Sequence, residues 1–136
     1  DYNQKMTNIE ACIGLIQLEK YDHIINERKL QANNYYNSLK LEKKLEFCNF
    51  IEGATYSHFP IRVEDKKKFI EGLKDEGVEI GEVIQYSIPN LSEYISLGYI
   101  CENSNYASMH TINLPLGPNI DTNLVIEKIK KFIVKI

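Results

Sequence analysis

From Thr7 to Leu18 the chain carries apolar side chains on every side of a helix. Ile9, Cys12, Ile13 and Ile16 fall on one face at helical spacing, while Ala11, Leu15 and Leu18 fill the opposite one. A helix that is apolar all round has to be covered on all sides. Its start is marked by Thr7 followed by Glu10, a capping-box pair, with Met6 placed to act as a hydrophobic staple. After Leu18 the character changes. Ile24, Ile25, Arg28, Ala32, Tyr35, Tyr36 and Leu39 make a single stripe, with Glu19, Lys20, Asp22, Glu27 and Lys29 outside it. The spacing predicts one continuous helix from about Thr7 to Lys40, buried at one end and half exposed at the other. That is the form of an element leaving one domain and entering another. Burying Ile9, Ile13, Leu15 and Ile16 is worth about 1.5–3 kcal/mol each, so an uncovered helix is expected to self-associate or to be poorly ordered before about Gly14. Gly14 itself, costing roughly 1 kcal/mol against alanine in mid-helix, is expected to pack closely on a neighbouring backbone.

The remainder alternates short strands and helices. Thr55–Val63 reads as a strand in which Pro60, lacking a donor, calls for an edge position or pairing on one side only. A helix is predicted over Glu64–Glu76 with Phe69, Ile70 and Leu73 inward and Gly77 at its left-handed cap. A short strand is expected at Val78–Ile80, a short helix at Leu91–Leu97 and another at Asn103–His110. Thr111–Leu114 reads as a strand. A closing helix, capped by Asp121 or Thr122, buries Leu124, Val125, Ile129, Phe132 and Ile133. The fold class is α+β: a small, mostly antiparallel sheet with helices packed on it, residues 1–40 forming a long interdomain helix and 41–136 a small domain.

The 136 residues suit one domain with a real core, and 43% hydrophobic against 26% charged residues excludes a disordered body. A net charge of -3 argues against nucleic acid as a partner. The basic run Lys66-Lys67-Lys68 reads as the solvated start of a helix. Cys12, Cys48 and Cys101 are widely spaced and suggest neither a zinc site nor a disulfide framework. Reduced thiols fit a cytoplasmic protein. No stretch approaches the roughly 18 apolar residues of a membrane span. His23, His58 and His110 are isolated from one another and from any ligand pattern, which favours structural roles.

The opening run Tyr2-Asn3-Gln4-Lys5-Met6-Thr7-Asn8-Ile9-Glu10-Ala11-Cys12-Ile13-Gly14-Leu15-Ile16-Gln17-Leu18 resembles the signature of the DegT/DnrJ/EryC1/StrS aminotransferases. Asp1 stands at a usual glycine and Cys12 at a usual alanine. The resemblance continues in order through Ile24-Ile25-Asn26-Glu27-Arg28, Ala32, Tyr35, Tyr36 and Leu39, then His58-Phe59-Pro60-Ile61-Arg62-Val63. It resumes in Leu73-Lys74-Asp75-Glu76-Gly77-Val78 and ends in Ile112-Asn113-Leu114-Pro115-Leu116.

That resemblance implies the small C-terminal domain of a fold-type-I enzyme dependent on pyridoxal 5'-phosphate, preceded in the whole protein by a large α/β domain and a linking helix. The lysine that forms the Schiff base, and the acid that pairs with the pyridinium nitrogen, lie in that large domain in the family. The segment alone is therefore expected to be inactive and to hold no cofactor. Family members form homodimers in which the opening block reaches the neighbouring subunit's cofactor phosphate. By that match Asn3 and Lys5 are the cofactor-binding candidates, an amide donor and a cation suited to a dianion. The segment Val83–Pro89 occupies the place of a loop lining the family's sugar pocket. It lacks the histidine often found there and leaves Tyr86 as the substrate-binding candidate. The implied reaction is transfer of an amine, with glutamate as donor, to a nucleotide-linked keto sugar for cell-surface polysaccharide (lipopolysaccharide) or deoxyamino-sugar synthesis. Two alternatives stay open: a sugar dehydratase of the same family, distinguished by a residue outside this segment, and a free-standing dimerisation or ligand-binding module.

Overall fold

Phe59, Ile61 and Val63 alternate with Pro60 and Arg62, and this period of two builds the central strand of the sheet. The computed structural model describes residues 5–136. In chain order it contains α1 (Asn8–Glu19), α2 (Tyr21–Leu39), β1 (Leu45–Phe47), β2 (Phe59–Val63) and α3 (Lys66–Asp75). Two single 3₁₀ turns follow (Ile88–Asn90 and Ile95–Leu97), then α4 (Glu102–His110), β3 (Thr111–Leu114) and α5 (Thr122–Lys135). The three strands are antiparallel in the order β1-β2-β3. Leu45 is opposite Val63, and Phe47 opposite Ile61; Ile61 is opposite Ile112, and Phe59 opposite Leu114. This is the α+β architecture read from the sequence.

The register puts Leu45, Phe59, Ile61, Val63, Ile112 and Leu114 on one face, where they are buried. Ala32, Tyr35 and Leu39 of α2, Phe69 and Leu73 of α3, Val78 and Ile80 after it, and Val125, Ile126, Ile129, Phe132 and Ile133 of α5 complete the core. Arg62 points to the other face and lies over the Tyr106 ring of α4, 5.7 Å from its centroid. Helices thus cover both faces of a sheet too small to bury itself.

Several expectations need correction. Two helices replace the single one. At Lys20 the ladder shifts to a shorter bond, its N–H reaching the Gln17 carbonyl at 3.2 Å, and the chain restarts at Tyr21 with no side-chain cap. The strand at Thr55–Val63 begins only at Phe59, because Tyr56 takes a positive φ of 49°. For Pro60 the second of the two expected alternatives holds: it lies in the middle strand, but β1 reaches only as far as Ile61, so at Pro60 the pairing is with β3 alone. Val78–Ile80 forms no strand, and the neighbouring bridge is Gly81 with Asn113. The helix expected at Leu91–Leu97 shrinks to the turn at Ile95–Leu97. On α5 Leu124 is exposed and Ile126 takes the buried place. A Cβ on Gly14 would meet nothing within 4 Å, so no close packing explains that residue here.

Other expectations hold in detail. Gly77 adopts φ 83° after α3. The Val78 N–H donates to the Leu73 carbonyl and the Gly77 N–H to Lys74, both at 2.9 Å, which closes a Schellman cap. Asp121 caps α5 by accepting from the Asn123 and Leu124 amides. Among the described residues no helix is long and apolar enough to cross a membrane.

Candidate cofactor- and substrate-facing surface

The start of α1 is built as the sequence indicated. The Thr7 hydroxyl oxygen accepts from the Glu10 amide at 3.3 Å, and the Glu10 carboxylate accepts from the Thr7 N–H at 2.7 Å. The Thr7 N–H first, and second the Thr7 hydroxyl, which donates to the same carboxylate oxygen at 2.9 Å, hold the Glu10 carboxyl below its ordinary range. The first amides of a helix have no partner within it, and among the described residues none is found for the N–H groups of Asn8 and Ile9. Lys5 stands exposed just ahead of them with no ion pair among the described residues. Asn3 lies outside the described residues. A helix start with unpartnered amides favours an anion. Glu10 already occupies part of the same helix pole, so the helix dipole adds less there than an uncapped end would.

Downstream of this end, α1 leaves its apolar residues uncovered. Ile9 is 74% exposed, and Ile13, Leu15, Ile16 and Leu18 are exposed as well. No residue of α1 is buried.

Tyr86 belongs to the long segment between Gly81 and Cys101. Its ring is exposed and its hydroxyl has no hydrogen bond among the described residues. Ser87 beside it is buried to 1% exposure. The segment is fastened to α3 and α4 by one side chain. The Lys66 ammonium pairs with the Glu82 carboxylate at 2.6 Å and donates to the carbonyls of Ile84 at 2.8 Å and Ser108 at 3.0 Å. A second tie runs from the Asn90 amide to Asn105 at 3.0 Å. Lys66, Glu82 and His110 line an open cavity of about 720 Å³ with Glu64, Ile70 and Met109.

The solvated helix start expected of Lys66-Lys67-Lys68 holds for only two of the three. Lys67 and Lys68 are exposed, but the Lys66 side chain is only 11% exposed. One signal was available: three lysines at a helix start oppose the helix dipole, so at least one had reason to turn elsewhere. Of the three histidines only His110 is held, among the described residues, by a contact with a distant part of the fold. His110 Nδ1 lies 2.9 Å from the Val63 carbonyl and its ring packs on Tyr106, while His23 and His58 sit at the surface. Among the described residues no group of three potential metal ligands converges, and the three cysteines are free. Among the described residues no hydrogen bond or ion pair connects Lys5, ahead of α1, with Tyr86, in the irregular segment before α4.

Residues 1–132 match the sequence profile described as the DegT/DnrJ/EryC1/StrS aminotransferase family. The chain belongs to that family. This DegT-family chain is 31% identical over 139 residues to the GDP-perosamine synthase of Escherichia coli O157:H7, covering 96% of this chain and 37% of that protein. It is 24% identical over 134 residues to the dTDP-4-amino-4,6-dideoxy-D-glucose transaminase of Shigella dysenteriae, covering 90% of this chain and 36% of that protein. Its fold superposes on that of Bacillus subtilis NtdA, solved with bound cofactor PMP, at a TM-score of 0.85 and 23% identity, over 98% of this chain and 34% of that one. The DegT-family chain therefore spans little more than a third of the length of the relatives it matches.

Proposed function

We propose that this chain is the small domain of an enzyme that uses pyridoxal 5'-phosphate to transfer an amino group to a nucleotide-linked keto sugar. The observation that carries the reading is the family match over residues 1–132, supported by relatives that are named as a nucleotide-sugar transaminase and a perosamine synthase. The cofactor supplies the electron sink for the amine transfer. In the complete homodimer Asn3 and Lys5 bind the phosphate of the neighbouring subunit's cofactor, Lys5 as a charged donor and the Asn8 and Ile9 amides beside it. The exposed apolar side of α1 is covered there by the cofactor-bearing domain and the twin subunit, which excludes water from that end of the site. Tyr86 faces the sugar nucleotide. Glutamate is the amino donor, and the product serves cytoplasmic synthesis of an amino sugar for a cell-surface polysaccharide. The segment by itself is inactive.

The complete protein, purified and incubated with a nucleotide-linked 4-keto sugar and glutamate, is expected to carry the visible absorbance of the cofactor and to form the amino sugar with 2-oxoglutarate. Absence of that absorbance, or removal of a hydroxyl with no amine incorporated, overturns the proposal. The isolated chain is expected to form no product under the same conditions.

A further inference from the structure

We propose that Lys66 is the positioning residue that presents Tyr86 to the sugar nucleotide, an inference that rests on the function proposed above. Lys66 is the first residue of α3, where a cation meets the unfavourable pole of its own helix dipole. Its side chain nevertheless runs inward, to 11% exposure, and ends among three oxygens: the Glu82 carboxylate and the carbonyls of Ile84 and Ser108. An ammonium has three protons to donate, and here each has an acceptor. One acceptor, Ser108, lies in the last turn of α4, whose carbonyls lack helical partners and whose dipole favours a cation. The other two belong to the segment that carries Tyr86. Lys66 therefore fixes residues 82 and 84 of an irregular segment onto the end of a helix.

The consequence falls on Tyr86. The backbone is held at Ile84 on one side by the Lys66 ammonium and on the other by Ser87, which is buried to 1%. Between these two fixed points Tyr86 can only project outward, and its ring is exposed. Irregular segments without such anchors sample many conformations, and ordering them on binding costs affinity. A pre-positioned Tyr86 removes that cost for the sugar nucleotide alone. The amino donor gains nothing from it.

The test uses the complete enzyme. In K66M the KM for the sugar nucleotide is expected to rise about tenfold or more, with the KM for glutamate unchanged and hydrogen exchange accelerated at residues 82–87. K66R, which keeps the charge and the donors, is expected to recover most of the loss. Equal sugar KM in K66M and wild type, or a parallel rise for both substrates, overturns the proposal. Should K66M fail to fold, E82A decides: it removes the carboxylate, one of the three groups that accept from Lys66, and an unchanged sugar KM there refutes the positioning role. A wild-type enzyme inactive on nucleotide-linked keto sugars refutes the proposed function instead, and the exchange of residues 82–87 in K66M still reports whether the clamp exists.

Discussion

Gly72 of α3 lies directly under the ring of Phe132 of α5, so that a Cβ at position 72 would stand 2.1 Å from the ring's Cε2 atom. The ring cannot swing aside freely, because it is 7% exposed and meets Phe69 edge-on with centroids 5.3 Å apart. Two terms of opposite sign act on Gly72→Ala. Removing glycine from a helix interior gains about 1 kcal/mol, whereas overpacking a core costs about 1–3 kcal/mol. The steric term is expected to win, with a net loss of about 1 kcal/mol and a lower urea midpoint at unchanged slope. A variant as stable as the parent would show that α5 can slide away from α3.

Tyr35, fully buried on α2, donates its hydroxyl to the Pro115 carbonyl at 2.9 Å. Burial first, and the Asp121 charge second, push its phenol above the ordinary tyrosine range. Tyr35→Phe keeps the packing and strands the carbonyl, which is expected to cost about 1 kcal/mol. In a spectrophotometric titration of the folded parent, one tyrosine is expected to ionise only as the protein unfolds in alkali, and that step should be missing from the variant.

Glu76 follows α3 and is flanked by three lysines of α5. Lys131 lies at 3.0 Å, Lys128 at 3.9 Å, and Lys135 is also hydrogen-bonded to it. The hydrogen bonds of Lys135 and Lys131 hold its carboxyl down at about 2, against an ordinary 4.5. A lowered folded-state pKa stabilises above the unfolded value, and that contribution fades as pH falls from about 4.5 toward 2. Stability should thus drop on acidification through this window, and Glu76→Gln should flatten the drop while lowering stability near neutrality. Urea midpoints at about pH 6 and about pH 3, compared for parent and variant, read both effects; added salt should shrink the difference.

Lys5 carries the charge at the proposed phosphate site. In the complete enzyme, Lys5→Met removes a charge-assisted hydrogen bond worth about 1.5–3 kcal/mol, so the cofactor is expected to dissociate at least about tenfold more readily, with little change in the KM of the sugar nucleotide. Dialysis of the holoenzyme followed by absorbance measures it. Unchanged retention would exclude Lys5 from the site.

Local rules made much of the fold readable. The Thr7 and Glu10 box, the Gly77 cap and the Asp121 cap each depend on a few adjacent residues, and each appears where the spacing put it. What escaped depends on distant partners. β1 is three residues long and exists because Leu45–Phe47 find Ile61–Val63 across a loop. Ile126 is buried and Leu124 exposed because α5 is rotated against α2 and α3 in a way that its own period leaves open. The break at Lys20 has no proline, glycine or cap to announce it. The candidate site divides similarly. Lys5 and Tyr86 were accessible through family resemblance, whereas Lys66 required coordinates, because its three acceptors come from residues 82, 84 and 108.

The uncovered apolar side chains of α1 give the most direct test of the covering proposed for this helix. Ile9, Ile13, Leu15, Ile16 and Leu18 are all at least half exposed, although α1 is a regular helix with both parts of its capping box in place. Monomeric proteins rarely leave so many apolar side chains of one helix in water. The isolated chain is therefore expected to sediment as a dimer or larger species at micromolar concentration, with association strengthening on warming from the cold as the hydrophobic term grows. Ile9→Ser, Ile13→Ser and Ile16→Ser combined should yield a monomer without lowering the unfolding midpoint, since none of these side chains enters the core. A parent chain that sediments as a monomer with α1 helical would mean these side chains tolerate water, and the case for a covering domain and twin subunit would fall with it.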